Sequence, residues 1–407
     1  MDQSTAELTT WLAEAGLGNM PLEEMVDGFS RRLNRMGISI ARTFVGTNTL
    51  HPMVSVRSMV WTRPSGPSER WEFDHVSVND RIVQQSPFVR MLREGIAEER
   101  RMLTDAAELS EPPVFEELRA AGMTEWLGRV FSFGELSPRF RGSNQAERID
   151  RLWLACSLST DRPGGYGADE LAVLKLVLPV FAVAVKAATM RGVGHGLLAT
   201  YLGRDPAERV LSGTILRGEV QNVRAVLLYA DLRGFTQMAG VTADRELIAM
   251  LDDYFDCMVR PVMRRGGEIL KFLGDGLLAA FAADSEDVGS AALDAAEEAL
   301  SLVESLNAGR HAANQPIMAL DVALHVGDVL YGNVGIDARL DFTVIGPAVN
   351  EASRIEFMCK SVDRNLLASG QFIEAAPRCR SRLVSIGRHR LRGVREEAEL
   401  FGLASSR

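Results

Sequence analysis

Two apolar segments in the C-terminal half of the chain each end in an aspartate. Residues 225–230 form a continuous apolar run that stops at Asp231, and the segment after Lys271 runs into Gly274-Asp275-Gly276. A continuous apolar run predicts a strand covered on both faces, and Gly-Asp-Gly is typical of a tight turn between strands. We therefore expect both carboxylates at one edge of an antiparallel sheet, where hard oxygen ligands suit Mg²⁺ or Mn²⁺.

The rest of the C-terminal half alternates strand and helix patterns. Helices are expected at 242–258, 285–306 and 347–358, and strands at 268–273, 277–281, 317–326, 329–334, 383–391 and 399–403. The turn between the strands at 317–326 and 329–334 is expected at Gly327-Asp328. The order β-α-β-β-α-β predicts a ferredoxin-like α+β domain, with an antiparallel sheet and helices on one face.

Other polar residues in this half point to a nucleotide substrate. Lys271 offers a hydrogen-bond donor and Thr343 a possible acceptor for a nucleobase. Asn350 and Arg354 are four residues apart on one helix face, where a guanidinium suits charge on a phosphoryl group. Each residue alone also has a structural explanation, such as a helix cap, a turn or an exposed lysine. As a set they indicate chemistry on a nucleoside triphosphate.

Four segments, in order and spacing, resemble the catalytic domain of class III nucleotidyl cyclases. They are Ala230-Asp-Leu-Arg-Gly-Phe-Thr, Lys271-Phe-Leu-Gly-Asp-Gly, His325-Val-Gly-Asp-Val-Leu-Tyr-Gly-Asn-Val-Gly and Thr343-Val-Ile-Gly-Pro-Ala-Val-Asn-Glu-Ala-Ser-Arg. The resemblance covers residues 224–403, and the threonine is typical of a bacterial-type subgroup. It implies an adenylate cyclase that converts ATP to 3′,5′-cyclic AMP and pyrophosphate.

The resemblance also implies the role of each candidate residue. Asp231 and Asp275, with Leu232, would hold two metal ions, Mg²⁺ or Mn²⁺, one activating the 3′-hydroxyl and the other holding the triphosphate. Lys271 and Thr343 would contact the purine, and Asn350 and Arg354 would orient the ribose and stabilise charge at the α-phosphate. Substrate binding would also involve Phe235, Thr236 and Arg392, the last as the basic residue of a C-terminal strand.

A homodimer with shared active sites is a further implication. Lys271 and Asp275 would be roughly 13 Å apart in an extended chain, too far to contact the same part of one small ligand. Members of this family place the aspartates and the purine and phosphate residues on different protomers. Because this chain keeps both sets, we expect two equivalent sites in a homodimer and an inactive monomer.

Other functions compete with that of an adenylate cyclase. A guanylate cyclase, or an inactive cyclase fold that serves as a nucleotide-binding regulatory module, remains an alternative. Gly266-Gly267-Glu268 suggests a diguanylate cyclase, but the second acidic residue and the phenylalanine of that motif are missing. A P-loop enzyme is excluded because no Gly-x-x-x-x-Gly-Lys-Ser/Thr occurs.

The N-terminal half has a weaker pattern. Helices are expected at 21–42, 87–103 and 168–186, and strands at 54–61, 71–76 and 153–160. The closing order of strand, Pro/Gly turn, acidic helix start and long apolar helix loosely resembles a GAF-type α/β sensor domain over about 20–190. That resemblance implies an unknown small-molecule or protein signal, and the candidates to line its pocket are His51, Trp61, Trp71 and His75.

The expected division is a sensor at 1–190, a helical linker at 191–220 and a catalytic domain at 221–407. Within the linker, Arg191-Gly-Val-Gly-His-Gly is expected to interrupt the helical pattern, and a short helix is expected at 197–211.

Composition and termini restrict the location and the partners. The net charge of −9 disfavours a nucleic-acid partner. The start of the chain lacks the pattern of a signal peptide. The apolar run 171–188 contains Lys175, Pro179 and Lys186, so a buried helix is expected rather than a membrane span. The four cysteines have no paired spacing, which favours a reducing, cytoplasmic location.

Overall fold

The computed structural model describes residues 2–77, 81–104, 111–135, 151–240, 242–282, 287–394 and 396–404. The chain divides into two compact units, Met1–Leu197 and Leu198–Arg407, each described by itself below.

The N-terminal unit is an α+β unit built on one six-stranded sheet. Its elements are α1 (Gln3–Leu17), α2 (Leu22–Arg35), β1 (Arg42–Asn48), β2 (Val56–Thr62), β3 (Gly66–Phe73), α3 (Arg81–Gln84), α4 (Pro87–Glu94), β4 (Glu98–Met102), α5 (Pro113–Ala120), β5 (Glu125–Glu135), β6 (Arg151–Thr160) and α6 (Ala168–Leu202). The strand order is β3-β2-β1-β6-β5-β4, and every neighbouring pair is antiparallel.

Helices cover both faces of this sheet. One core joins α1, α2 and α6 to the sheet, with Phe29 of α2 stacked on Phe181 of α6 at 4.2 Å between ring centroids. A second, smaller core joins α4 and α5 to the opposite face around Trp126. Alternate residues of each strand point to opposite faces, which lets one sheet support both cores.

Two predicted helices of this unit end earlier than expected. The helix predicted at 21–42 ends at Arg35, and β1 begins at Arg42. The helix predicted at 87–103 ends at Glu94, because Gly95 adopts a left-handed conformation and its N–H bonds back to Met91. The chain then enters β4, a strand that the sequence pattern did not predict.

The interruption predicted at Arg191-Gly-Val-Gly-His-Gly is wrong. α6 is one continuous helix to Leu202, five residues beyond the boundary between the units. In the described part of the chain it is the one helix long and apolar enough to cross a membrane. Its first half is nevertheless built into the core through residues such as Leu174, Val177 and Phe181, which are completely buried. The absence of a membrane span stays a prediction.

The C-terminal unit contains the remaining elements. They are α7 (Arg204–Leu211), β7 (Val220–Arg233), α8 (Phe235–Ala239), α9 (Asp244–Arg264), β8 (Glu268–Leu273), β9 (Gly276–Ala282), α10 (Val288–Ala312), β10 (Ala319–Ile336), β11 (Arg339–Ile345), α11 (Pro347–Val362), β12 (Leu366–Ser369), α12 (Gly370–Ala375), a 3-10 helix (Pro377–Arg382), β13 (Leu383–His389) and β14 (Ala398–Leu403). Ser285, the predicted start of α10, lies outside the described residues.

The order β10-β7-β9-β8 within the sheet confirms the ferredoxin-like plan, and β12, β14 and β13 extend it beyond β10. Two details differ from the prediction. The β10–β12 pair is parallel, so the sheet is mixed. Helices also cover both faces, because alternate residues of β7 face α9 and α10 on one side and α11 on the other.

The turn predicted at Gly327-Asp328 is also wrong. β10 passes straight through both residues and pairs them with Ala225 and Arg224 of β7. A Cβ at Gly327 would lie 2.5 Å from the Cβ of Ala348, so this glycine lets α11 pack closely on the strand. The hairpin is formed later, where β10 turns back into β11.

Candidate active site

Asp231 lies near the end of β7 on the face covered by α11. Ala225, Leu227 and Tyr229 belong to the apolar cluster under α11, and Asp231 continues the same alternation. Its partner across the sheet is Asp321 of β10. Asp321 is buried and accepts two hydrogen bonds from the Arg233 guanidinium, at 2.8 and 2.6 Å.

The β8–β9 turn brings Asp275 to the same place. Gly276 follows it, and a Cβ built on Gly276 would lie 2.5 Å from both the Ala230 carbonyl oxygen and Asp231 Oδ1. Only a residue without a side chain permits this approach of the turn to β7. The two aspartates thus occupy one acidic corner of the sheet.

The carboxylates of this corner disfavour one another's ionisation. Burial, reinforced by the charges of Asp275 and Asp321, raises the pKa of Asp231 to about 6. Burial also raises the pKa of Asp275. Glu356 of α11 belongs to the same corner: burial first, and then the charge of Asp231, raises its pKa to about 8. Glu356 was not predicted as a site residue, although it lies near Arg354 on the predicted helix.

This corner suits a divalent cation. Repulsion between partly buried carboxylates is relieved by a positive ion, and carboxylate oxygens are the ligands that Mg²⁺ and Mn²⁺ prefer. In the described part of the chain, no three acidic, histidine or cysteine side chains are arranged to hold a metal by themselves. Leu232 is buried in the core, so only its main chain is available to a metal.

A second group of predicted residues meets where β8 approaches β11. Lys271 Nζ donates to Asp341 Oδ2 at 2.6 Å, and both side chains are about half exposed. Asp341 and Thr343 share one face of β11, because Phe342 and Val344 between and after them are buried. Asp341 was not among the predicted site residues, because it lies two residues before the purine position. Period-two alternation along the strand nevertheless places it beside Thr343.

α11 presents Asn350 and Arg354 away from its buried face. Asn350 is exposed, and Arg354 has no ion-pair partner among the described residues. The Arg354 guanidinium lies 3.4 Å from the position of a Cβ on Gly393, in the loop between β13 and β14. Burial raises the pKa of the Tyr229 hydroxyl beside the acidic corner, and Ser353 of α11 opposes this shift.

Three further predicted residues, Arg392, Phe235 and Thr236, lie outside these two groups. Arg392 is exposed in the turn that follows β13, which ends at His389, so its predicted place on a strand is wrong. Phe235 packs against the core at the start of the five-residue helix α8, and Thr236 beside it is exposed.

The site residues thus form two groups. The acidic corner holds Asp231 and Asp275, and the second group pairs Lys271 with Asp341 beside Thr343. Within the described residues, no hydrogen bond or ion pair joins Lys271 or Arg354 to either aspartate of the corner.

Comparison with known proteins identifies the class of this unit. Residues 219–405 match the sequence model of a family described as the adenylate and guanylate cyclase catalytic domain. The chain therefore carries a nucleotide cyclase catalytic domain in its C-terminal unit.

Two relatives found by sequence agree with this assignment. The chain is 34% identical over 153 residues to an adenylate cyclase of Anabaena cylindrica, a match covering 37% of this chain and 30% of that protein. It is 32% identical over 148 residues to adenylate cyclase 1 of Rhizobium meliloti, covering 36% of this chain and 22% of that protein. The chain thus spans less than a third of either relative. The solved adenylyl cyclase CyaB of P. aeruginosa matches 46% of this chain and 97% of its own, with a TM-score of 0.42 and 23% identity.

Proposed function

We propose that the C-terminal unit is an adenylate cyclase that converts ATP to 3′,5′-cyclic AMP and pyrophosphate. The observation that carries the proposal is the meeting of β8 and β11, where Lys271 and Thr343 offer a donor and an acceptor that match adenine. The adenylate cyclases of Anabaena cylindrica and Rhizobium meliloti among the relatives support the same substrate.

In this proposal the two groups of residues have different roles. Asp231 and Asp275 hold the metal ions, and Lys271 with Thr343 orients the adenine ring. When bound, two divalent cations, Mg²⁺ or Mn²⁺, supply Lewis acidity for the 3′-hydroxyl and charge neutralisation for the triphosphate. Asn350 orients the ribose, and the Arg354 guanidinium, without a carboxylate partner among the described residues, is free to stabilise charge on the α-phosphate.

The separation of the two groups supports a homodimer with shared sites. Lys271 of β8 pairs with Leu278 of β9, which in turn pairs with Tyr229 of β7. Lys271 therefore lies two strands from β7, roughly 10 Å away across the sheet. Asp231 lies a further two residues along β7. One protomer would therefore supply the aspartates of a site and the other its purine and phosphate residues.

A direct test compares the full chain with its Asp275→Asn variant, using ATP and GTP as separate substrates with Mg²⁺ or Mn²⁺. We expect cyclic AMP from the unmutated chain, little cyclic GMP, and a loss of at least about 100-fold in the variant. Asp337→Asn removes an aspartate from the exposed β10–β11 turn and should retain full activity. No product from a folded, dimeric wild-type chain would refute the proposal, and a clear preference for GTP would refute its substrate.

The N-terminal unit is proposed as a regulatory sensor for a small-molecule or protein signal. Its antiparallel sheet with helices on both faces supports a GAF-like interpretation at the level of architecture only. A cytoplasmic location is supported by four free cysteines. The burial of the first half of α6 favours a core helix over a membrane span.

A further inference from the structure

The N-terminal unit contains a cavity of about 320 Å³ between the α1–α2 corner, the sheet and α6. This volume falls within the range of small-molecule binding sites. The lining residues do not include any of the four side chains that the sequence suggested for a pocket. Trp61, for example, is buried in the core and its indole N–H donates to Asp27 at 2.8 Å.

Part of the cavity wall is apolar. Met20 and Leu22 come from the α1–α2 corner, and Val45 and Met59 come from β1 and β2. Ala188 of α6 lies in the wall as well, and its small side chain leaves space beside the helix. The cavity can therefore enclose an apolar group of modest size.

The remaining wall is basic. Arg57, Arg70 and Arg191 all line the cavity, against a single acidic lining residue, Glu23. Arg70 is ion-paired with Glu23, and Arg57 is ion-paired with Glu72 at 2.8 Å. Arg191 has no carboxylate partner in the described part of the chain, so its positive charge is uncompensated.

Two residues of α6 that line the cavity, Thr189 and Arg191, carry hydrogen-bond donors. The Arg191 guanidinium donates to the main-chain carbonyl of Gly16 at 3.1 Å and keeps its other N–H groups available. The Thr189 hydroxyl is buried and has no hydrogen-bond partner among the described residues. A buried hydroxyl without a partner is unfavourable, and a bound anion would supply the missing acceptor.

We propose that this cavity binds a small amphipathic anion. The acidic group, a carboxylate or a phosphate, is held by Arg191 and Thr189, and its apolar body lies against Met20 and Met59. A guanidinium suits either kind of acidic group, because both accept paired hydrogen bonds from its fork.

The same helix explains how such a ligand would be sensed. At and beyond the cavity, α6 carries glycines at 192, 194 and 196, each of which weakens a helix by about 1 kcal/mol relative to alanine. Close packing does not require a glycine at 192 or 194. A Cβ on Gly194 would have no neighbour within 4 Å, and a Cβ on Gly192 would have only Arg57 Nη1, at 4.0 Å. A ligand that contacts Thr189 and Arg191 would therefore stabilise the weakest turns of the helix that leads towards the catalytic unit.

Binding is tested by titration calorimetry of the full chain with octanoate, octyl phosphate and the neutral octanamide. We expect saturable binding of at least one anion, at least about tenfold tighter than octanamide. Arg191→Gln should weaken anion binding about tenfold and leave octanamide unchanged. Ala188→Leu should abolish binding by filling the cavity.

Arg35→Gln is the matched control, because it removes an exposed arginine of α2 that does not line the cavity. The proposal is overturned if neither anion binds more tightly than about 1 mM. It is equally overturned if octanamide binds with the same affinity as the anions. The same holds if Arg35→Gln weakens anion binding as much as Arg191→Gln does.

Hydrogen exchange tests the link to α6. In the full chain, the preferred anion should slow amide exchange at 189–196, and Gly192→Ala with Gly194→Ala should slow it about fivefold per substitution without ligand. Binding that leaves this exchange unchanged would refute the link. Both measurements omit nucleotide, so their outcome is independent of the proposed cyclase activity. Only a further effect of the anion on cyclic AMP formation would rest on that proposed activity.

Discussion

At the scale of single residues, Gly276 determines how closely Asp231 and Asp275 approach. Its φ is not in the left-handed region, so the requirement is for space alone. A side chain here would meet the Ala230 carbonyl and the Asp231 carboxylate, and neither the main chain nor this partly buried carboxylate can move without cost.

We expect Gly276→Ala to destabilise the chain by about 1–3 kcal/mol and to lower cyclase activity further than its loss of folded protein explains. Urea unfolding and steady-state kinetics measure the two effects. The control is Gly309→Ala in α10, where a Cβ would have no neighbour within 4 Å and should be neutral or stabilising. Unchanged activity in Gly276→Ala would show that the aspartates do not need this approach.

His325 carries a second prediction at this scale. The side chain is buried, and its Nδ1 lies 2.9 Å from Ser369 Oγ. Burial lowers the pKa of His325 from 6.5 to about 4, although its Nε2 lies 3.5 Å from the Glu351 carboxylate. The folded state therefore binds fewer protons than the unfolded state between these pH values. Its contribution to stability is present above pH 6.5 and is lost as the pH falls towards 4.

The free energy of unfolding should thus fall by up to about 1.4 kcal/mol per pH unit from this group between pH 6.5 and 4. His325→Gln keeps a hydrogen-bonding side chain but cannot titrate. We expect its unfolding free energy, measured in urea at several pH values, to vary less steeply with pH than that of the wild type. Parallel curves for the two proteins would contradict a neutral buried histidine.

At the scale of elements, local patterns predicted most of the catalytic unit. The apolar run before Asp231 and the Gly-Asp-Gly turn correctly indicated β7 and the β8–β9 hairpin. Gly327-Asp328 has turn-like residues, but the glycine serves close packing against Ala348, which is far away in sequence. The β10–β12 pairing and the Lys271–Asp341 ion pair also depend on residues distant in sequence, so no local pattern could predict them.

The meeting of β8 and β11 gives a prediction about purine selection. Lys271→Glu with Thr343→Cys should exchange the adenine pattern for a guanine pattern, but the introduced carboxylate would face that of Asp341. We therefore expect the double variant to lose activity with both nucleotides. Adding Asp341→Asn should restore turnover with a preference for GTP.

The measurement is the ratio of kcat/KM for GTP and ATP in each variant. Asp341→Asn alone is the control: it removes the partner of Lys271 without changing the purine pattern and should still prefer ATP. An undiminished preference for ATP in the folded triple variant would contradict the roles of Lys271 and Thr343.

At the scale of the whole molecule, the proposed homodimer with shared sites predicts that activity requires a pair of chains. Asp231 on β7 and Lys271 on β8 lie two strands apart, and α11 presents Arg354 without a carboxylate partner in the described part of the chain. A C2 dimer would bring each group to the complementary group of the second chain and form two equivalent sites.

The most direct test of this account mixes two inactive full-length variants, Asp275→Asn and Arg354→Ala, and measures cyclic AMP formed from ATP. Each variant alone should be nearly inactive, since every site of its homodimer lacks one group. After equal mixing and subunit exchange, half of the dimers contain one intact site of two, which predicts about a quarter of the wild-type rate. A mixture that stays inactive although heterodimers form and the wild type is active would contradict the shared site.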